Sequence, residues 1–586
     1  PPLILAADAR LDNRSELQSV LNLPDSASDA DFIALAYRRW DERCPEHLLG
    51  DFAFALWDAD QHSLFCARDH FGVKPFYYIV DPQRFAFASE IQPLLKLPTV
   101  GRELNEDVLA EYLLMMRGLS ADPAQTFYQQ VQRLPAGHCL TVTPDTLRVR
   151  GYWALDPDAE LDLPSDEAYA ETLRDYLTDA VRVRLRTPFP VGASLSGGLD
   201  SSTVVCLIRQ IGAPLHTFYL VPSVESADER AYVRDVLAGG ALQHHEGAMP
   251  SALHNIDALL AGDGAPPFGP NPPMAAVLYQ LAAENGVRVF LDGIDGDGII
   301  GHGWGMLAEL TDRHDWPQFM REVDALRQYY PESRANYLRR YAQPLSTALR
   351  QGKWGSWLGA VRTLHQGWDI PPAHLLWRYS LAPLIFKPLY TLRRNQRARW
   401  SQANPLLQPE FAQRLHLDER LLAFRKNASA AQTARQRHYR DLMTGNIQRM
   451  LEEQDVLSAH AGVEVRHPFC DRRVVEFCLA LPSNQHLRNG WSRYILRQAM
   501  QDILPDSIRW RGGKTDFAPH VWQGYQTVDK PRLEALLHDS RDDAYVSLSA
   551  LRATYESHEA NENLRLRGAL TTSVQWLLWR QANPLS

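Results

Sequence analysis

The sequence predicts a multidomain α/β protein: a β-rich N-terminal domain, a doubly wound parallel sheet behind it, and a mostly helical C-terminal part. Three observations carry this. A chain of 586 residues is too long for one hydrophobic core. Near residue 167 the pattern changes from short strands to long helices alternating with buried apolar runs, as parallel strands with crossover helices require. The apolar run Val191-Gly192-Ala193-Ser194-Leu195 then leads through Ser196-Gly197-Gly198-Leu199-Asp200-Ser201-Ser202 into Thr203-Val204-Val205-Cys206-Leu207-Ile208: a strand, a small-residue turn and a helix.

Taken in order, residues 1–155 form the first domain. Strands are predicted at 3–7, 52–57, 63–67, 76–80 and 84–88, with turn residues such as Asp58-Ala59-Asp60 and Asp81-Pro82 between them. Helical patterns fall at 29–42 and 105–117. The Pro- and acid-rich stretch 156–166 reads as a linker. The second domain, 167–586, has strand candidates at 190–195, 215–221 and 287–291 and is helical after about residue 300.

Composition narrows the function classes. Hydrophobic content of 45% and charged content of 22% are ordinary for a soluble globular protein. A net charge of −9 argues against wholesale nucleic-acid binding. No apolar stretch is long enough to span a bilayer, and no signal peptide is visible. The six cysteines show no paired-ligand spacing, and several sit in apolar runs. They read as reduced core thiols of a cytoplasmic protein. The chain opens Pro1-Pro2 without Met, so whether a Cys precedes Pro1 is left open.

The turn at 196–202 has the make-up of a cradle for the pyrophosphate of ATP. Gly197 and Gly198 let backbone N–H groups approach an anion, and a helix N-terminus adds partial positive charge. Ser196, Ser201 and Ser202 supply hydroxyl donors, and Asp200 can hold Mg2+ against the phosphates. No lysine follows the glycines, so this is not the GxxxxGK[ST] loop. A plain Ser/Gly turn is the simpler alternative, and the full seven residues behind a strand weigh against it. Leu291-Asp292-Gly293-Ile294-Asp295-Gly296-Asp297-Gly298, directly after Val287-Arg288-Val289-Phe290, is a second Asp/Gly loop at a strand end, where open parallel sheets bind ligands.

With these loops behind a β-rich domain, the chain resembles the asparagine synthetase family. Gly50-Asp51-Phe52-Ala53-Phe54-Ala55-Leu56-Trp57-Asp58, Arg68-Asp69-His70-Phe71-Gly72-Val73-Lys74-Pro75, Ala88-Ser89-Glu90 and Leu134-Pro135-Ala136-Gly137-His138 are similar to the family's glutaminase-domain motifs. The resemblance implies an Ntn-hydrolase-like αββα sandwich followed by an ATP-pyrophosphatase domain. A glutaminase of that kind needs an N-terminal cysteine whose own amine serves as base. No cysteine precedes Cys44 in this sequence, and the family's Asn-Gly-Glu clamp aligns with Asp8-Ala9-Arg10, although Asp29 fits a retained aspartate. An arginine in place of the clamp's carboxylate would repel the α-ammonium of glutamine. The first domain is therefore expected to be a degenerate, non-catalytic scaffold.

For the second domain the resemblance implies that Asp200 and Asp297 share Mg2+, with Asp292 and Gly293 beside the nucleotide and Leu220 on the adenine near Leu195. Ile294 stands where the family carries Glu or Tyr, so a general base must come from elsewhere. His302 and Glu309 are candidates, and a solvated histidine and an ordinary helix-face glutamate are equally good readings of them. Arg509-Trp510-Arg511-Gly512-Gly513-Lys514-Thr515-Asp516-Phe517 resembles the family's C-terminal lysine loop, which would set Lys514 over the α-phosphate and the acyl group.

Together with 462–482, these motifs are most similar to the lasso-peptide macrolactam synthetases. That implies adenylation of an Asp or Glu side chain in a precursor core peptide, ring closure by the peptide's N-terminal amine, and two partners: a leader-peptide-binding protein and a leader protease. The alternatives are an asparagine synthetase, a small-molecule β-lactam-type synthetase, or a non-catalytic assembly protein. Residues 331–400 hold only Glu332 and Asp369 as acids against twelve Lys and Arg, interleaved with Trp354, Trp357, Trp368, Trp377 and Trp400. That fits a peptide- or partner-binding surface, or equally a helical core with solvated arginines. Pro266-Pro267-Phe268-Gly269-Pro270-Asn271-Pro272-Pro273 is either a wall of the acceptor pocket or a structural loop.

Overall fold

The computed structural model describes residues 3–583 apart from 117–118, 120–121, 241, 263, 270, 331, 387–398, 429–432, 444–445, 540–542 and 558–562. Eight strands build the N-terminal domain: β1 (Leu3–Leu11), β2 (Gly50–Asp58), β3 (Ser63–Arg68), β4 (Tyr77–Asp81), β5 (Arg84–Ala88), β6 (Gln132–Arg133), β7 (His138–Val142) and β8 (Leu147–Gly151). They form two antiparallel sheets, β1-β2-β3-β7-β8 and β5-β4-β6.

The period-2 alternation of β2 explains the layering. Phe52, Phe54 and Leu56 point to a core shared with Leu17, Phe32 and Ile33 of helices Arg14–Leu21 and Asp29–Trp40. Ala53 and Ala55, small enough for close sheet-on-sheet contact, meet Phe76 and Tyr78. Tyr77 and Ile79 face the opposite way, onto helix Glu106–Leu114. The result is the expected αββα sandwich. Ser28 and Asn105 start helices Asp29–Trp40 and Glu106–Leu114 by accepting from first-turn N–H groups.

The second domain holds a five-stranded parallel sheet: β9 (Val191–Ser194), β10 (His216–Val221), β11 (Gln243–Ala248), β12 (Val289–Leu291) and β13 (Glu464–Arg466), in the order β11-β10-β9-β12-β13. The winding reverses between β9 and β12, so the loops after these two strands flank the crevice of the sheet. Strands β11 and β13 extend the three expected from sequence. The rest of the described chain is helical, and no described helix is long and apolar enough to cross a membrane.

Buried charge joins the two domains. The fully buried Arg68 donates to Glu452 at 2.9 Å and to the carbonyls of Gly72, Lys74 and Leu134. Lys74 meets Asp455 at 2.8 Å. Arg184 donates to Asp471 at 3.0 Å and lies 3.5 Å from Asp12, which with Asp51 also receives Arg10. Arg10, at the clamp position, is thus buried and committed to two carboxylates of its own domain. Asp29 is likewise engaged, by Arg14 and Arg186. The stretch between the domains is pinned: Leu161 donates to the Ala480 carbonyl, and the Tyr169 hydroxyl bonds Leu161 and Leu163. Ser165 caps helix Asp166–Arg184.

All six cysteines are free and buried. In the basic-aromatic segment, Trp357 and Trp368 are core residues whose indole N–H groups donate to Ser380 and Asp324. Trp354 and Trp377 are more than half exposed. Lys387, Arg393, Arg394 and Arg397 lie outside the described residues, as does Pro270 of the proline-rich loop.

Candidate functional site

At the end of β9 the chain turns through Gly197, whose φ of +71° suits glycine. A Cβ at this position would stand 2.6 Å from that of Tyr232. Gly198 then opens helix Leu199–Ile211, leaving the first-turn N–H groups without helical partners. The Ser196 and Ser201 hydroxyls are 2.9 Å apart, and Ser201 Oγ accepts from Ser196 N–H, so each braces the turn. Ser202 is fully buried with its Oγ unpartnered. Leu195 and Leu220 are both buried in the sheet, and Leu195 N–H donates to the Phe218 carbonyl.

The loop after β12 packs directly on this turn. A Cβ on Gly293 would lie 2.7 Å from Ser201 N, and one on Gly296 would lie 2.9 Å from Asp200 Cγ. Only glycine permits that approach. Asp292 accepts from His467 Nδ1 at 2.8 Å in a buried pair. Asp297 accepts from Lys514 Nζ at 3.2 Å and from Gly298 N–H, with His302 Nε2 3.9 Å away. Arg493 grips both oxygens of Asp200 at 2.7 and 2.8 Å.

These carboxylates titrate apart. Burial pushes Asp200 up against the pull of Arg493, and repulsion from Asp297 adds to it. Burial and the charges of Asp297 and Asp200 push Asp295 up to about 7. Burial opposes ionisation of Asp297 too, but Lys514, Arg493 and His302 together outweigh it and hold its carboxyl down.

Among the described residues no three His, Cys, Asp or Glu side chains converge to hold a metal alone. The donor set does fit magnesium, which commonly takes one or two carboxylates and completes its shell with phosphate oxygens and water. Asp200 and Asp297 are two such oxygen donors on facing loops. The buried Oδ2 of neighbouring Asp292 and Asp295 is in each case unpartnered.

The lysine loop is tied back to the phosphate turn. Arg511 donates to the Gly197 carbonyl at 3.0 Å, to Glu229 and to Thr515, and its guanidinium lies 4.0 Å from the Tyr232 ring centroid. Arg497 donates to the carbonyls of Arg509 and Arg511. The Lys514 side chain beyond them is 78% exposed, free to follow a ligand.

A cavity of about 700 Å³ opens beside Asp297. His302 and Glu309 both line it, as do Arg313, Arg437 and Arg440. His302 sits at the Asp297 carboxylate, its pKa lowered by burial and by Arg493. Glu309 instead accepts from Ala434 N–H at 2.7 Å and holds the start of helix Ala434–Met443. The structure therefore gathers the two loops, Lys514 and His302 around one point, while Glu309 has a structural bond to keep. Sequence reasoning missed Arg493. It stands in no motif and is 293 positions from Asp200.

Comparison with known proteins matches residues 172–581 to the Asparagine synthase family and 11–153 to the Glutamine amidotransferase domain. The chain is 25% identical over 527 residues to asparagine synthetase [glutamine-hydrolyzing] 3 of Bacillus subtilis, covering 85% of this chain and 72% of the relative. It is 23% identical over 582 residues to asparagine synthetase [glutamine-hydrolyzing] 1 of the same organism, covering 97% and 83%. A putative asparagine synthetase [glutamine-hydrolyzing] 2 of Methanocaldococcus jannaschii is 29% identical over 330 residues, 55% and 63% of the two chains.

Proposed function

The chain belongs to the asparagine synthase family, and from that premise we propose that it activates a carboxylate with ATP as an acyl-adenylate, releases pyrophosphate, and passes the acyl group to an amine. The observation that carries this reading is the facing pair Asp200 and Asp297 on the two loops of the switch point, with Lys514 bridged to one and Arg493 to the other. The glycine turn and helix Leu199–Ile211 receive the phosphates through backbone N–H groups. Mg2+ held by Asp200 and Asp297 would neutralise phosphate charge. Lys514 brings a mobile ammonium to the oxygens on which charge develops. His302, its pKa lowered by burial and by Arg493, can take a proton from the attacking amine.

Aspartate as the acid and ammonia as the amine is the better supported form, because the relatives reported above are named as asparagine synthetases. Macrolactam formation on a peptide is the second reading. It is favoured by the roughly 700 Å³ cavity beside Asp297, which is roomy for a single amino acid, and by the exposed Trp354 and Trp377. It carries with it the leader-peptide-binding protein and leader protease as partners. The first domain serves as a scaffold in either case, since Arg10 at the clamp position is locked to Asp12 and Asp51.

The deciding experiment measures AMP and pyrophosphate from magnesium ATP with aspartate plus ammonium, and separately with a candidate core peptide. AMP with aspartate, and asparagine formed, establishes the first form. AMP only with peptide, and a product lighter by one water, establishes the second. No AMP from any carboxylate offered, the leader-binding and protease partners included, would overturn the ligase reading.

A further inference from the structure

Away from the switch point, a second cavity of about 520 Å³ lies where four helices converge, a size within the usual range of small-molecule sites. Its walls are apolar and come from both domains. Helix Glu106–Leu114 ends in Met115 and Met116, and helix Asn271–Glu284 contributes Met274. Three of the chain's nine methionines thus line one space, and their unbranched thioethers give a wall that adapts to its occupant. Val521 of helix Ala518–Gln526 and Leu564, at the start of helix Leu564–Ala582, complete the apolar lining.

The frame around the cavity is fixed. Tyr112 donates to the carbonyls of Pro267 and Thr572, Asn404 to that of Leu113, and Gln575 to that of Gly269. Gly568 keeps the space open on one side, since a Cβ there would lie 2.6 Å from the Met115 sulfur. Met115 itself is held in the left-handed region at φ +52° and leaves its side chain 44% exposed, as does Leu564 at 71%. Large apolar side chains left that bare around a concave space mark a ligand site.

Charge at the rim sets the chemistry of the occupant. Arg567 and Arg565, which donates to the Gln402 carbonyl at 2.9 Å, also line it. The single carboxylate among the lining residues, Asp516, already accepts from Ala518 N–H. Asp516 and Phe517 belong to the loop that carries Lys514, two and three positions further along.

We propose that this cavity binds an amphipathic anion, with its apolar chain among Met115, Met116 and Met274 and its acidic head at Arg565 and Arg567. The occupant leans on Asp516 and Phe517 and so sets the position of the Lys514 loop. The site stands independently of the ligase reading, and the two fail in different assays.

The test uses the full chain and decanoate as the probe, with decanol as the uncharged control, followed by titration calorimetry. Decanoate binds saturably at one site, and Ala569→Trp, which fills the cavity, weakens it at least about tenfold, or 1.4 kcal/mol. The double variant Arg565→Gln/Arg567→Gln lowers decanoate affinity about tenfold and leaves decanol unchanged. Arg565 is exposed and Arg567 half-buried, so the pair decides the matter if Ala569→Trp does not fold. Absence of saturable binding, or equal binding by wild type and by variants with the wild-type melting curve, overturns the proposal. Two arms with magnesium ATP name the source of the ligand. Decanoate-dependent AMP release makes the occupant part of the acid substrate. A changed rate of AMP release with aspartate and ammonium makes it an effector acting through the loop.

Discussion

Arg493→Met is the most informative single change. The guanidinium holds both oxygens of Asp200 at 2.7 and 2.8 Å, with side chains only 11% and 19% exposed. Opposite charges with centres about 4 Å apart attract by about 4 kcal/mol at an effective dielectric of 20. A divalent cation seated on Asp200 must displace or share that partner. If only a third of the attraction is lost to this competition, removing Arg493 tightens metal binding to the nucleotide-free protein by about tenfold, or ~1.4 kcal/mol. Once displaced, the guanidinium is a buried cation beside the phosphate turn. Losing such a preorganised group lowers turnover by about 100- to 1,000-fold. Manganese titration followed by electron paramagnetic resonance reads the first effect, and ATP–pyrophosphate exchange reads the second. Tighter manganese with slower exchange is the expected pair of results. Unchanged manganese affinity together with exchange within about threefold of wild type would refute the role assigned to Arg493.

Lys514→Ala should cut product formation by about 100-fold or more while leaving the unfolding midpoint in place, because its side chain is exposed; undiminished product would remove Lys514 from the mechanism. Gly197→Ala should abolish ATP binding by calorimetry, since the backbone there is left-handed and the added Cβ meets Tyr232; wild-type affinity would contradict the cradle. Arg184→Met removes the cation that Asp12, Asp51 and Asp471 share, leaving Arg10 on the first two and Arg473 on the third, and should cost about 3 kcal/mol in urea unfolding. A loss below about 1 kcal/mol would mean that water reaches the patch. Burial, aided by the nearby Arg472 cation, pushes the His70 imidazole down to about 3, against about 6.5 unfolded. Between those values the unfolded chain binds more protons, so His70's contribution to stability is complete above about pH 6.5 and falls as the pH drops. The loss at pH 5.5 is about 1.4 kcal/mol. His70→Phe, packed edge-on to Tyr152 and Trp153 like the imidazole, should flatten that part of the pH profile, and an unaltered slope would assign it to other groups.

What could be read from sequence followed burial. Strands β9, β10 and β12 are short apolar runs in the middle of the sheet, and their alternation with helices was enough to place both loops of the site. Strand β11 was missed because Gln243-His244-His245-Glu246-Gly247-Ala248 lies at a sheet edge, where nothing forces apolar residues. Strand β13 spans only three residues, Glu464–Arg466, too few to show a period. The tryptophans of 331–400 divide by packing that no spacing rule conveys: Trp357 and Trp368 found buried hydrogen-bond acceptors, and Trp354 and Trp377 did not leave the surface. Arg493 escaped for a different reason. A cation balancing a buried carboxylate is recognisable only once the fold has brought two distant segments together. Glu309 reads in sequence equally as a candidate base and as an ordinary helix-face glutamate, and its bond to Ala434 N–H reveals its structural work.

The cluster beneath helix Glu106–Leu114 is assembled from segments that lie 460 positions apart. Tyr112 bonds the Thr572 carbonyl, and Phe127 packs 6.3 Å from Trp579 in one continuous core. During translation this helix leaves the ribosome with its apolar side uncovered. At about 5–20 residues per second, its cover in helix Leu564–Ala582 follows on the order of half a minute to a minute and a half later. The nascent protein therefore waits, with its first domain unfinished, for helix Leu564–Ala582. A premature stop before helix Leu564–Ala582 strands both halves, and release of the bare first domain exposes a surface for chaperones and proteases to act on.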